Sequence, residues 1–294
     1  MNNHYIELKK KRELGDILSD TFAFLRSQFK PFFSTFLKIV GPYLLIMLIS
    51  YGFYFSTFGE LFTMGMNNGT LGDMNPLFFG LTAIVLFCAV LATYVLSQAT
   101  TLYYIQSYAA NNGVINFEEI RRNVYAKFWS FIGLGILVAL SVTVGFMFCC
   151  IPGIFLYVPL SLSFAIMVFS KKSPTDAFGY SFDLVKEHWW ITFATIFVLA
   201  IIVTVAGYAF SMPAIIYQYA KMGILSGEMD AENFGTNFVD PIYIILNLIS
   251  TLAQFFLNII SVVAVALIYF NLNEIKNNEG TFERIKKLGG DIDS

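Results

Sequence analysis

The sequence predicts an all-α integral membrane protein with six transmembrane helices and cytoplasmic interfacial amphipathic helices preceding spans 1, 3 and 5. Three observations carry that prediction. Charged residues are only 13% of the 294-residue chain, where average proteins carry about 25%. Six separate apolar runs reach the ~20 residues that a helix needs to cross a bilayer. Of the 18 Lys and Arg residues, all but Lys221 fall on one side once six crossings are drawn, as the excess of basic residues in cytoplasmic loops requires.

Span 1 covers about 39–58 and is entered through Gly41-Pro42. Span 2 covers about 77–96, and its helix is expected to continue in more polar form to Tyr108. Span 3 covers about 128–148, span 4 about 153–169, span 5 about 190–211 and span 6 about 242–270. None holds an acidic residue, and Lys38 sits at an entry where a long side chain can snorkel to water. Spans 3 and 4 are separated only by Cys149-Cys150-Ile151-Pro152-Gly153. Five residues cannot cross a membrane, so a hairpin is expected to turn on Pro152 and Gly153. Pro159 should kink span 4 unless a neighbouring polar group takes the carbonyl it frees.

The basic residues set the orientation. Lys9, Lys10, Lys11, Arg12, Arg26, Lys30 and Lys38 precede span 1; Arg121, Arg122 and Lys127 precede span 3; Lys171, Lys172 and Lys186 precede span 5. Lys276, Arg284, Lys286 and Lys287 follow span 6. Both termini are therefore expected in the cytoplasm, and an odd number of spans would split the terminal basic clusters between two compartments. This divides the chain into a cytoplasmic segment 1–35, a membrane domain 36–272 and a polar tail 273–294. The opening residues lack the basic, short apolar and cleavage pattern of a signal peptide, so span 1 is expected to serve as an uncleaved signal.

Before span 1, Leu14, Ile17, Leu18, Phe22, Leu25 and Phe29 recur at helical spacing, with Asp16, Asp20 and Lys30 mostly on the other face. Such a helix is too polar to span and suits the interface. A constant offset of 160 pairs Asp16 with Asp176, Phe22 with Phe182, Arg26 with Lys186, Phe33 with Phe193 and Thr35 with Thr195, which reads as an internal repeat. The second copy opens on Ser173-Pro174, a capping residue with proline at the first helical position. It closes on Trp189 and Trp190, expected interface anchors together with Arg26, Lys186 and Trp129. Asn116-Phe117-Glu118-Glu119 resembles a capping box ahead of span 3.

Ile151-Pro152-Gly153-Ile154, Val158, Ser161-Leu162, Ser173-Pro174, Ala177, Ser181, Leu184, Lys186 and Trp190 form a pattern. It resembles the membrane domain attached to some glycerophosphoryl diester phosphodiesterases, and related bacterial multi-pass proteins. The resemblance covers about residues 120–200 and elsewhere only the layout. It implies a bacterial inner-membrane protein. It implies no phosphodiesterase activity, because that chemistry belongs to a separate soluble barrel domain whose catalytic residues have no counterpart to carry over.

Catalysis needs a nucleophile, base or metal within mutual reach. The two histidines are His4, in a polar tail, and His188, beside tryptophans, and no HExxH, phosphate loop or nucleophile elbow occurs. No metal or other cofactor is expected, and the three cysteines read as small apolar residues. Asn68-Gly69-Thr70 fits a glycosylation triplet, and Glu228, Asp230, Glu232 and Asp240 form an acidic loop without calcium-loop spacing. The candidate functional polar groups are Asn247, Gln254 and Asn258, on one stripe of span 6, with Gln98 of span 2. They suit either interhelical hydrogen bonds or a polar groove. The net charge of −2 gives no reason to expect a nucleic-acid partner. The expected function is that of a non-enzymatic inner-membrane protein, interacting with lipid or scaffolding in membrane homeostasis. The alternative is a transporter or permease for a small solute or lipid. The expected partners are membrane lipids and a protein partner or second copy in the membrane.

Overall fold

In a bilayer every backbone N–H and C=O must be satisfied within its own segment, which leaves an apolar chain little choice but helix. A computed structural model describes residues 6–66, 76–148, 150–222, 240–282 and 285. His4, the 68–70 triplet, Cys149, Glu228, Asp230, Glu232, Arg284, Lys286 and Lys287 lie outside them. Every regular element among the described residues is helical. In order these are α1 (Leu14–Met66), α2 (Pro76–Ala110), α3 (Phe117–Phe148), α4 (Cys150–Ser161), α5 (Ser163–Phe169), α6 (Pro174–Val185), a 3₁₀ turn (Lys186–His188), α7 (Trp189–Lys221) and α8 (Pro241–Asn277). They supply six helical stretches long and apolar enough to cross a membrane.

The elements run longer than the apolar runs suggest. The 53 residues of α1 cover about 80 Å of helix axis, against a hydrocarbon core of about 30 Å. The stretch before span 1 is therefore not a separate helix: α1 passes unbroken through Pro31 and Gly41-Pro42. The same holds before span 3, where α3 starts at Phe117 and carries straight on. Only before span 5 does a separate helix form. There α6, capped by Ser173 Oγ on the Asp176 amide at 3.2 Å, gives way to the 3₁₀ turn. Helix also claims Pro213, which lies inside α7 rather than opening a loop.

The α3–α4 hairpin corrects a second expectation. Helix α4 already starts at Cys150, so Pro152 and Gly153 lie in its first turn and not in the connection. Proline is tolerated there because first-turn amides have no intrahelical acceptor. The need for glycine is steric. A Cβ on Gly153 would fall 2.6 Å from Phe146 Cγ, and one on Gly145 would fall 3.0 Å from the Gly153 Cα. The two glycines let the helices touch backbone to backbone.

Pro159 interrupts span 4 as expected. The Leu162 amide bonds Pro159 O at 3.1 Å in a tightened turn, and α5 begins at Ser163. Proline at 159 cannot donate to the Phe155 carbonyl. The indole N–H of Trp189 donates to it instead, at 3.4 Å, while its ring stacks on Phe155 with centroids 5.5 Å apart.

The chain divides into two units. The first comprises Met1–Ile39, Val95–Ile201 and Ile259–Ser294. Its centre holds the second half of α2, where Leu96, Ala99, Leu102, Tyr104, Ile105 and Tyr108 are all no more than 1% exposed. A helix buried all round is a core helix, and residues 266–274 of α8 are buried in the same way. Phe24 meets Tyr108 edge-on at 5.1 Å, Phe32 meets Tyr104 edge-on at 5.1 Å, and the Tyr104 hydroxyl donates to Gln28 Oε1 at 3.1 Å. The offset of 160 reappears as burial: Ile17 and Ala177, Thr21 and Ser181, Phe24 and Leu184, Thr35 and Thr195, and Ile39 and Leu199 are buried at both members of each pair.

The second unit comprises Val40–Tyr94 and Ile202–Asn258. Large apolar side chains face outward from it, among them Phe53, Leu81, Phe87, Val205 and Ile249, each more than half exposed. That surface is unsuited to water and suited to lipid. Internally the Thr93 hydroxyl donates to Tyr43 O at 3.1 Å and the Ser250 hydroxyl to Phe210 O at 2.9 Å. Asp240, just before α8, accepts from the Tyr217 hydroxyl at 2.9 Å and pairs with Lys221 at 3.2 Å, fastening α7 to α8.

Candidate functional site

The first unit contains a cavity of about 790 Å³. Segments distant in sequence wall it: the extended stretch before α1, the end of α2, the first turns of α3, the α5–α6 connection and the end of α8. Six charged side chains line it, namely Lys9, Glu119, Lys127, Lys171, Lys172 and Glu279. Tyr103, Met167, Val168 and Phe270 are among its apolar lining residues. A hole of this size lies within the ~300–1,000 Å³ range of small-molecule sites.

Local backbone chemistry sets the lysine pair. Helix α5 ends at Ser170, whose hydroxyl meets the Tyr269 hydroxyl at 2.9 Å. Lys171 follows with φ 52°. Among the described residues the other left-handed positions are Asn112, Gly113 and Asn278, residue types that tolerate the conformation. Lysine does not tolerate it readily, so Lys171 holds a strained conformation at the cavity rim. Lys172 folds back with Nζ 4.5 Å from the centre of the Tyr180 ring. Beneath them Gln106 donates to Val168 O at 2.7 Å, tying α2 to α5.

The wall formed by residues 6–13 is held by a buried arginine. The Arg12 side chain is fully buried and donates to Leu8 O and Glu7 O, both at 2.6 Å, and to Asp20 Oδ2 at 2.9 Å. Its backbone amide donates to Asn271 Oδ1 at 2.7 Å. Burial pushes the Arg12 guanidinium below its ordinary pKa, and the Asp20 carboxylate opposes that shift. On the opposite side, buried Glu274 accepts from the Gly280 amide at 2.7 Å, the Thr281 amide at 2.9 Å and the Thr281 hydroxyl at 2.6 Å. Gly280 packs so close to Lys9 that a Cβ would collide with the Lys9 carbonyl. The segment is thus a strap clamped against the end of α8.

The polar residues singled out in the sequence fall elsewhere. Gln98 belongs to the first unit, while Asn247, Gln254 and Asn258 belong to the second, so the division into units separates Gln98 from the stripe. Asn247 Nδ2 donates to Tyr243 O of its own helix at 2.9 Å. Gln254 Nε2 donates to Ser211 Oγ of α7 at 3.1 Å, and Asn258 is exposed. A smaller apolar groove in this unit is lined by Leu48, Ile49, Phe53, Ile244 and Leu248 and by none of the stripe. Of the expected anchors, Trp129 and Trp190 are 77% and 76% exposed, and Arg26 and Lys186 are exposed. Trp189 is instead half-buried between Phe155 and Phe193.

Sequence reasoning missed the cavity and the Arg12 clamp. One signal was present, a lysine pair directly after an apolar span and before Ser173-Pro174, but nothing local joins it to Lys9 or Lys127. In comparisons with known proteins, no family model, curated protein or solved structure matches the chain.

Proposed function

We propose that this chain is a non-enzymatic multi-pass protein of a bacterial cytoplasmic membrane that engages membrane lipid at its basic, cytoplasmic face. The observation that carries the reading is the cavity of the first unit, lined by both charged and apolar residues, with Lys9, Lys127, Lys171 and Lys172 among them. Lysines near a membrane surface each add about 1 kcal/mol of attraction to anionic lipid. The exposed Trp190 and Lys186, next to α6, support an interfacial position for that helix. Within the same proposal, the α3–α4 hairpin and α6 keep the resemblance to the membrane domain of some glycerophosphoryl diester phosphodiesterases. The permease alternative has less support, because Asn247 and Gln254 already make hydrogen bonds within and between helices.

The test is the lipid that travels with the protein. After extraction in a mild neutral detergent, mass spectrometry of the purified protein should show one lipid class enriched several-fold over the parent membrane. Co-purified lipid with the composition of the bulk membrane would refute the reading.

A further inference from the structure

We infer that the cavity of the first unit is a receptor for a doubly charged phosphate monoester; the inference rests on the lipid-engaging reading and adds the headgroup chemistry. Four lysines and two glutamates line one hole, a formal excess of two positive charges. A phosphate monoester carries close to two negative charges at neutral pH, and a diester carries one. Its terminal oxygens accept several charge-assisted hydrogen bonds, which lysines deliver as point donors from different directions. The lysines do approach from different directions. Lys9 comes from the strap, Lys127 from α3, and Lys171 with Lys172 from the α5–α6 connection.

Two features separate this arrangement from a basic surface that merely sets topology. Lys171 is held in a left-handed backbone conformation that glycine or asparagine would adopt without strain, which points to a requirement for its side chain. The cavity lining also includes the apolar Met167, Val168 and Phe270, so the hole is not walled by charge alone. The same headgroup chemistry occurs in a lipid, as in phosphatidic acid, and in water, as in glycerol phosphate.

The experiment uses the full-length protein in neutral detergent, with native mass spectrometry to count bound ligand. Phosphatidic acid, phosphatidylglycerol, glycerol phosphate and inorganic phosphate are titrated separately. Phosphatidic acid should bind at least tenfold more tightly than phosphatidylglycerol. Each lysine removed should weaken it about fivefold, so K127Q/K172Q should lose about twenty-five-fold. Lys171→Gly relieves the backbone and should keep or raise the melting temperature while weakening binding, so its loss cannot be charged to misfolding. Lys30→Gln with Arg122→Gln removes two exposed cations that do not line the cavity and should change nothing.

Equal binding of the monoester and diester lipids, or equal losses in the cavity and control variants, overturns the inference while leaving general lipid engagement intact. Binding of glycerol phosphate as tight as that of phosphatidic acid supports the monoester site and assigns its source to the aqueous phase. A protein that retains none of the four probes overturns both this inference and the reading beneath it.

Discussion

Replacing Arg12 by alanine should release the strap without unfolding the helices. The Arg12 side chain is fully buried; its removal orphans the Glu7 carbonyl that it reaches at 2.6 Å and takes one of two donors from the Leu8 carbonyl, which keeps the Lys10 amide at 3.1 Å. An orphaned buried acceptor costs about 1–3 kcal/mol. Asp20 fares better, since it is partly exposed and keeps Lys10 at 2.9 Å. A total near 3 kcal/mol follows, below the upper end for breaking a buried ion pair. That corresponds to roughly a hundred-fold more frequent opening of residues 6–13. Lys9, Lys10 and Lys11 lie within the strap and make trypsin the natural probe. Under conditions where cleavage tracks the open population, Arg12→Ala should be cut after these lysines about a hundred times faster than wild type. Lys10→Ala, which removes a half-exposed partner, should accelerate cleavage at Lys9 and Lys11 less than about fivefold. Cleavage of Arg12→Ala within twofold of wild type, or slower than that of Lys10→Ala, would refute the account of the clamp.

Three further outcomes follow from the geometry. Trp189→Phe keeps the stacked ring but orphans the Phe155 carbonyl, so it should cost about 1 kcal/mol, and that cost should vanish in a Pro159→Ala background, where residue 159 regains its N–H; additive losses in a detergent melting cycle would exclude the indole as the carbonyl's partner. Gly145→Ala should be neutral to about 2 kcal/mol destabilising, since a helix gain of about 1 kcal/mol meets an overpacking cost of about 1–3 against the Gly153 backbone. Gly133→Ala, with open space around it, should be neutral or stabilising, and a Gly145→Ala protein that melts above it would rule out close helix contact. The third outcome concerns acid. Burial alone would raise the Asp240 carboxyl, but the Tyr217 hydroxyl, the Ile242 amide and Lys221 outweigh it and hold its pKa below the ordinary value. The contact between α7 and α8 that depends on it should therefore be intact at pH values above about 4 and weaken only as pH falls further. Asp240→Asn should remove that acid dependence, and an unchanged pH profile of melting in the variant would contradict the assignment.

The six membrane-length apolar helices were legible in the sequence because apolar run length is a local signal. The cap at Ser173, the disruption at Pro159 and the extension of α2 to Tyr108 were legible for the same reason. The internal offset of 160 was visible in residue identity and returns in burial, as with Thr21 and Ser181. What failed was continuity. Pro31 and Pro42 are ordinary helix breakers, yet a helix embedded among others or in lipid loses more by unwinding than by freeing one carbonyl. The hairpin was placed correctly but its glycine was misread, because Gly153 is needed for the approach of Phe146 and not for a turn. The cavity could not be read at all. Lys9, Lys127 and Lys171 become neighbours only through tertiary packing, and each looked like an ordinary topology signal.

The bond from the Arg12 amide to Asn271, and the packing of Gly280 on Lys9, join the beginning of the chain to its last helix across more than 250 positions. These two contacts can therefore form only after residues 271 and 280 have been synthesised. Until then the strap has holds nearer in sequence, Arg12 on Asp20 and the Ile6 amide on the Tyr108 hydroxyl.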